Sequence, residues 1–173
     1  SPHESALHSG ANAICRSLST EYYGRVLEPE HRAPSSLGEG ISPQRLAAQV
    51  SDAARRLGAD LVGTCRLNPR WLYSHTSSGD EIECPPGMDW VVVMGIAMDA
   101  EKILMAPGPE ARAATRIGYM QMALVASAVA EFIRHSGYRA IASGNDTGLS
   151  IPLAVDAGLG MMSRNGMLVT PEY

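Results

Sequence analysis

A chain of 173 residues, 45% apolar, with mean hydropathy near zero and a net charge of −4, is long enough for one globular domain hiding about 70% of its extended surface. The acidic balance, with a pI near 5.7 and no lysine- or arginine-rich block, excludes the electrostatic footprint of a nucleic-acid binder. Three scattered cysteines, Cys15, Cys65 and Cys84, form neither a CxxC pair nor a disulfide framework, and no apolar run reaches the roughly eighteen residues of a membrane span.

Residues 1–41 are the least patterned and are expected to be an N-terminal arm or partly disordered connector. Ala11 to Tyr22 could make a short helix, and Val26 to Gly40 is broken by proline and glycine. The opening Ser1-Pro2-His3-Glu4 lacks the basic and apolar regions of a signal peptide. Residues 42–173 are expected to form the domain. Ser42-Pro43 starts a helix whose apolar positions Leu46, Ala47, Val50, Ala53, Ala54 and Leu57 recur at spacings of three and four. Gly58 stops it, and Ala59 to Cys65 reads as a strand. Arg66 to Ser74 is a loop or single helical turn carrying Trp71 and Tyr73, and His75 to Gly87 is an exposed polar loop. Trp90 to Met98 has the composition of a central strand covered on both faces.

Glu110 to about His135 contains no proline and forms the longest helix, with Ala114, Ile117, Gln121, Leu124, Ala128 and Phe132 tracing one face. Ser136-Gly137 ends it. Tyr138 to Ser143 is a third candidate strand, Ser150 to Ala157 a further helix, and Met167 to Thr170 a final strand. Alternating helices and strands favour an α/β sandwich of two or three layers.

The stretch from Gly144 to Tyr173 sets polar loop residues and glycines around two apolar runs, the pattern of a ligand cradle feeding a strand. Asn145 between Gly144 and Asp146 is ordinary turn chemistry, yet its amide offers one acceptor and two donors to a ligand. Gly158 and Gly160 suit a tight turn or close backbone approach. The five histidines include no HExxH or close pair, so no metal site is assigned. Cys65 reads as a buried apolar filler. Three cysteines fall short of the four thiolates a cubane iron–sulfur cluster ordinarily needs.

Gly58 to Ser74, Asp89 to Asp99, Gly118-Tyr119-Met120-Gln121-Met122, Glu131 to Ile141, and above all Gly144 to Gly160 and Ser163 to Tyr173 resemble the reductive dehalogenase family, over roughly residues 43–173. The resemblance implies a nitroreductase-like core that binds cobalamin and removes halogen from an organohalide. It implies two [4Fe-4S] clusters held by a cysteine-rich segment C-terminal to this chain. It makes Tyr119 the proton donor to the dehalogenated carbon and Asn145 the second catalytic residue, lying by the corrinoid and substrate pocket, with Ser143, Gly144, Asn145, Asp146, Thr147, Gly158, Gly160, Arg164, Asn165 and Gly166 in the corrinoid cradle. Trp71 and Tyr73 would wall the pocket or pack in the core. The arginine that the family pairs with the tyrosine falls a few residues beyond Tyr173. This chain has Met162-Ser163 where the family usually has Leu-Gly, and a serine there is expected to strain the turn or narrow the corrinoid channel.

On this reading the chain is an incomplete, inactive portion of such an enzyme, whose partners are the organohalide and the absent iron–sulfur segment. An uncovered apolar surface should favour self-association. Family members are exported and membrane-associated or cytoplasmic, so the resemblance leaves the compartment open. The alternatives are a non-catalytic corrinoid-binding or trafficking module, or a relative of epoxyqueuosine reductase.

Overall fold

The computed structural model describes residues 4–13, 42–75, 79, 81–82 and 84–172. Residues 4–13 are helical (α1); most of the expected Ala11–Tyr22 helix lies outside the described residues. Helix α2, Pro43–Arg56, begins where the sequence places it. The Ser42 side chain accepts from the Arg45 amide, and Pro43 supplies a first-turn residue that needs no N–H partner. Its Val50 and Ala54 are buried. The chain then enters β1, Leu61–Arg66, which pairs antiparallel with β2, Trp90–Gly95, from Leu61 opposite Gly95 to Arg66 opposite Trp90. A 3₁₀ turn, Pro69–Trp71, lies between the strands. After β2 come a short α3, Ala100–Ile103, the long α4, Pro109–His135, and α5, Ser150–Asp156. A hairpin of β3, Met161–Met162, and β4, Leu168–Val169, follows.

The mixed α/β composition agrees with the sequence, but three elements differ from it. The Trp90–Met98 segment is not a central strand, although α4 packs on one face of the sheet and α5 with its following turn on the other. Trp90 is 64% exposed, the rest of β2 is half-buried, and β1 is its one partner among the described residues. It stops at Gly95 because the Asp60 carboxylate, rather than another strand, takes the Ala97 amide at 2.6 Å. Residues 138–143 form no strand: the Arg134 guanidinium grips the Ala140 carbonyl from Nε and Nη2 at 3.0 and 2.7 Å. That carbonyl is therefore engaged by a side chain instead of a ladder. The buried face of α4 is also rotated from the expected one. It is a stripe of small residues including Ala111, Ala114, Gly118, Val125 and Val129, while Gln121 and Leu124 face outward.

Small side chains let the layers approach. Val50, Ala54 and Ala59 meet Val125 and Val129, with Leu46, Val62, Val92, Met94 and Phe132 packed around them. Burying Val50, Val125 and Val129, the large side chains among the buried ones, contributes about 1.5–3 kcal/mol each. Helices α2, α4 and α5 end identically. Gly58, Gly137 and Gly158 all have positive φ, and the amides of Ala59, Tyr138 and Leu159 return to Ala54, Ile133 and Ala154. This is the Schellman arrangement, which gives orphan carbonyls a partner and turns the chain back over the sheet.

Candidate functional site

Residues 143–149 are held against the segment after β1. Leu72 and Gly148 form an antiparallel bridge, the Tyr73 amide donates to the Thr147 carbonyl at 3.1 Å, and the Leu149 amide donates to the Trp71 carbonyl at 2.7 Å. Gly148 is required for this closeness, because a Cβ there would lie 2.7 Å from the Trp71 oxygen. Trp71 is clamped from its other side by an indole N–H bond to Asp156 Oδ2 at 2.7 Å. The aromatic segment and the Asn145 loop thus form one unit with both ends of α5. Within the loop, Asn145 Oδ1 accepts from the Ser150 hydroxyl at 2.7 Å, and the Thr147 hydroxyl contacts Asp146 Oδ1 at 3.4 Å. Ser143, Asn145 and Asp146 are exposed.

Tyr119 projects from the middle of α4 and is 41% exposed. One turn earlier, the Arg116 guanidinium lies 6.0 Å from the centroid of its ring. One turn later comes Met122, whose methyl group would lie 3.7 Å from a Cβ on Gly144. Because residues three apart on a helix are surface neighbours, Tyr119 and the Asn145 loop border the same surface, with Met122 between them. Gly118 makes room for another methionine. Met98, just beyond β2, occupies its missing side-chain space, with Cγ only 2.9 Å from a hypothetical Cβ. Met98 stays 47% exposed.

The remaining residues singled out from the sequence lie at the other end of α5. Gly158 serves the Schellman turn described above, with φ 73. Gly160 permits the hairpin, since a Cβ there would collide with the Val169 carbonyl. Arg164, Asn165 and Gly166 form the hairpin turn and share no hydrogen bond or ion pair with Tyr119 or Asn145 among the described residues. Ser163 does not strain that turn: no non-glycine residue among those described has positive φ. Its hydroxyl instead lies between Asn165 Oδ1 and the Met167 carbonyl, and its amide donates to the latter at 2.8 Å.

Cys65 is buried on β1, its thiol donating weakly to the Leu153 carbonyl at 3.6 Å. Burial, and secondarily the Asp156 carboxylate, push that thiol above its ordinary pKa, which suits an inert core residue. Cys84 is exposed, and Cys15 lies outside the described residues. Among the described residues no group of three metal-ligating side chains converges, and no helix is long and apolar enough to cross a membrane. The sequence reading missed Arg116 and Met122 as helix neighbours of Tyr119, and Met98 as the occupant of the space beside Gly118. The i, i+3 spacings of Arg116, Tyr119 and Met122 were the local signals; the approaches of Met122 to Gly144 and of Met98 to Gly118 are tertiary.

No family model matches the chain. It is 36% identical over 161 residues to the tetrachloroethene reductive dehalogenase of Sulfurospirillum multivorans, a match covering 76% of this chain and 32% of that protein. The protein of the same name from Dehalobacter restrictus is 34% identical over 173 aligned positions, covering 76% of this chain and 31% of the relative. The chain therefore spans about a third of the length of these curated relatives. Among solved structures, a reductive dehalogenase described in connection with B12-dependent dehalogenation superposes with a TM-score of 0.76 at 28% identity, over 95% of this chain and 24% of that one. A catabolic reductive dehalogenase gives 0.75 at 27%, with the same coverage. On these grounds the chain belongs to the reductive dehalogenase family.

Proposed function

We propose that this chain is the corrinoid-binding portion of a B12-dependent reductive dehalogenase, a nitroreductase-like sandwich when the rest of the protein is present. In it, Tyr119 is the proton donor and Asn145 lines the same pocket. The observation that carries this reading is the shared surface of Tyr119 and the Asn145 loop, joined through Met122 and Gly144, in a chain whose relatives are dehalogenases. A corrin is a flat apolar ring rimmed by amides. The exposed polar groups of Ser143, Asn145 and Asp146, flanked by exposed Tyr73 and Leu149, fit such a ligand.

Ser143 to Thr147 would meet rim amides, and Gly158, Gly160 and the Arg164–Gly166 turn would border the ring. When bound, cobalamin supplies the reducing electrons for carbon–halogen cleavage. Tyr119 holds a proton at Oη on an open helix face. Its transfer breaks the O–H bond and forms a C–H bond at the carbon that has lost halide, and the phenolate then recovers a proton from water. Asn145, oriented by its bond from Ser150, keeps its amide N–H donors directed away from that partner and available to a ligand. The family's iron–sulfur clusters require thiolates beyond the three cysteines of this chain, so the isolated chain is expected to bind without turning over.

Titrating the purified chain with cobalamin tests the reading. Saturable binding, with the visible bands and cob(II)alamin EPR signal of a base-displaced form, is expected, and Asn145→Ala should weaken it. A folded sample that shows no binding would remove the corrinoid site from this chain.

The β3–β4 hairpin leaves Met161, Met162, Met167 and Val169 between 50 and 71% exposed, a patch that the rest of the protein or a second copy would bury. Light scattering over an about tenfold concentration range should show a rising mean mass; a constant monomer mass would count against an adhesive hairpin.

A further inference from the structure

Asp156 is the last residue of α5, and a carboxylate there opposes the helix dipole, whose C-terminal end favours cations. The last turn of α5 holds no basic residue, and Asp156 forms no ion pair among the described residues. Helix stability therefore does not account for an acid at this position. Its bond from the Trp71 indole N–H at 2.7 Å, between residues 85 apart in the chain, does. Through that bond Trp71 spans α5 from end to end. The Trp71 carbonyl accepts the amide of Leu149, the residue that caps the start of the helix, while its indole reaches Asp156 at the finish. These two points lie about 10 Å apart along the helix axis. Fixed at only one of them, α5 is free to swing about it; fixed at both, its tilt is set. Ser150, the first residue of α5, takes its direction from that tilt and carries Asn145 with it, because the Ser150 hydroxyl donates to Asn145 Oδ1 at 2.7 Å.

We propose that Asp156 is a positioning residue for the Asn145 loop. Its carboxylate clamps the Trp71 indole to the far end of α5, and the clamp fixes the direction in which Asn145 and its neighbours meet a ligand. A hydrogen bond to an ionised acceptor is stronger than one between neutral groups, which suits a tie made at a half-exposed surface. Trp71 is half-buried and Asp156 is exposed, so neither is held in place by the core alone. The proposal rests on the corrinoid reading for the identity of the ligand, but the clamp can be tested without one.

Amide hydrogen exchange in the apo chain, read residue by residue by NMR, is the first test. Asp156→Ala should speed exchange of the Leu149 and Tyr73 amides, which donate across the loop contact, by about tenfold. The amides of Val125 and Val129 in the core should keep the parental rate, as a local opening requires. Asp156→Asn should restore slow exchange, because its carboxamide oxygen still accepts from the indole. Trp71→Phe should match Asp156→Ala, and the double variant should be no looser than either, since both remove the same bond. Cobalamin affinity should follow the same order, falling about tenfold in Asp156→Ala and recovering in Asp156→Asn. Four results would each overturn the proposal: unchanged Leu149 exchange in Asp156→Ala, equal acceleration of the core amides, an Asp156→Asn chain as loose as Asp156→Ala, or parental cobalamin affinity in a folded Asp156→Ala chain. A parent that binds no cobalamin would end the corrinoid reading and leave the exchange comparison to decide the clamp, so the two fail separately.

Discussion

Replacing Gly63 by valine should lower the melting temperature of this chain by about 10 °C. Gly63 sits in the middle of β1 opposite Val93, where α5 and its following turn cross the sheet. A Cβ at this position would lie 2.7 Å from the Ala157 carbonyl oxygen, 3.0 Å from the Ala157 Cβ and 3.0 Å from a Leu159 methyl group. Two of these three neighbours cannot rotate away, because one is backbone and the other is the fixed first atom of a side chain. The Schellman turn at Ala157 and Gly158 also anchors that backbone to α5. Relief therefore requires β1 and α5 to separate, with an overpacking cost of about 3 kcal/mol. For a chain of this size each kcal/mol moves the midpoint by about 2–4 °C. Gly10, helical and with nothing within 4 Å of its hypothetical Cβ, supplies the control: Gly10→Ala should melt at or above the parent. A Gly63→Val midpoint within about a degree of the parent would mean that α5 does not hold the sheet in this way.

The contrast between Gly63 and the helix-ending glycines also explains what could be read from the sequence. Helix ends are local events. Ser42 before Pro43, and Gly58 and Gly137 after apolar periodic runs, announce α2 and α4 to within a residue or two because capping is decided within one turn. Gly63 looks from the sequence like a weakness in a strand, and only the approach of Ala157, far along the chain, shows why nothing larger fits. The same distinction accounts for the errors. Tyr138 to Ser143 has strand composition, but strand formation needs a partner, and Arg134 takes the Ala140 carbonyl first. The four-residue helix α3 and two-residue strand β3 are too short to show a period.

The site divides along the same line. Asn145 as a turn residue was legible from Gly144-Asn145-Asp146-Thr147, and the Ser150 bond is local. Tyr119 carried no such mark; without the family resemblance it would have read as a packed helix tyrosine, and its 41% exposure was invisible to periodicity. The segments that approach α4 around it come from elsewhere, Met98 against Gly118 and Gly144 against Met122. A glycine inside a helix costs about 1 kcal/mol relative to alanine. Gly118 therefore signals that something must lie close to the backbone, and here the occupant is the Met98 thioether.

The Asn145 loop depends on an equally tight approach at Gly148, so Gly148→Ala should damage the proposed site more than the fold. Gly148 is buried, and its added Cβ would press on the Trp71 carbonyl at 2.7 Å. That carbonyl accepts the Leu149 amide, and the same bridge brings the Tyr73 amide to the Thr147 carbonyl. Moving it loosens two hydrogen bonds at the edge of the molecule, for an expected stability loss of about 2 kcal/mol. The core around Val50, Val125 and Val129 does not include this bridge, so the variant should remain folded. The loop, however, loses its tie to the aromatic segment, and a ligand must then spend binding energy ordering residues 143–147. Cobalamin affinity should fall about tenfold, equivalent to about 1.4 kcal/mol of ordering cost. The effect should exceed that of Asn145→Ala, which removes one side chain but leaves the loop backbone tied. A folded Gly148→Ala chain that binds cobalamin as tightly as the parent would show that the cradle does not depend on the bridge. An unchanged melting temperature would show that the Trp71 carbonyl yields freely, and that loop geometry is set by Asn145 and Ser150 instead.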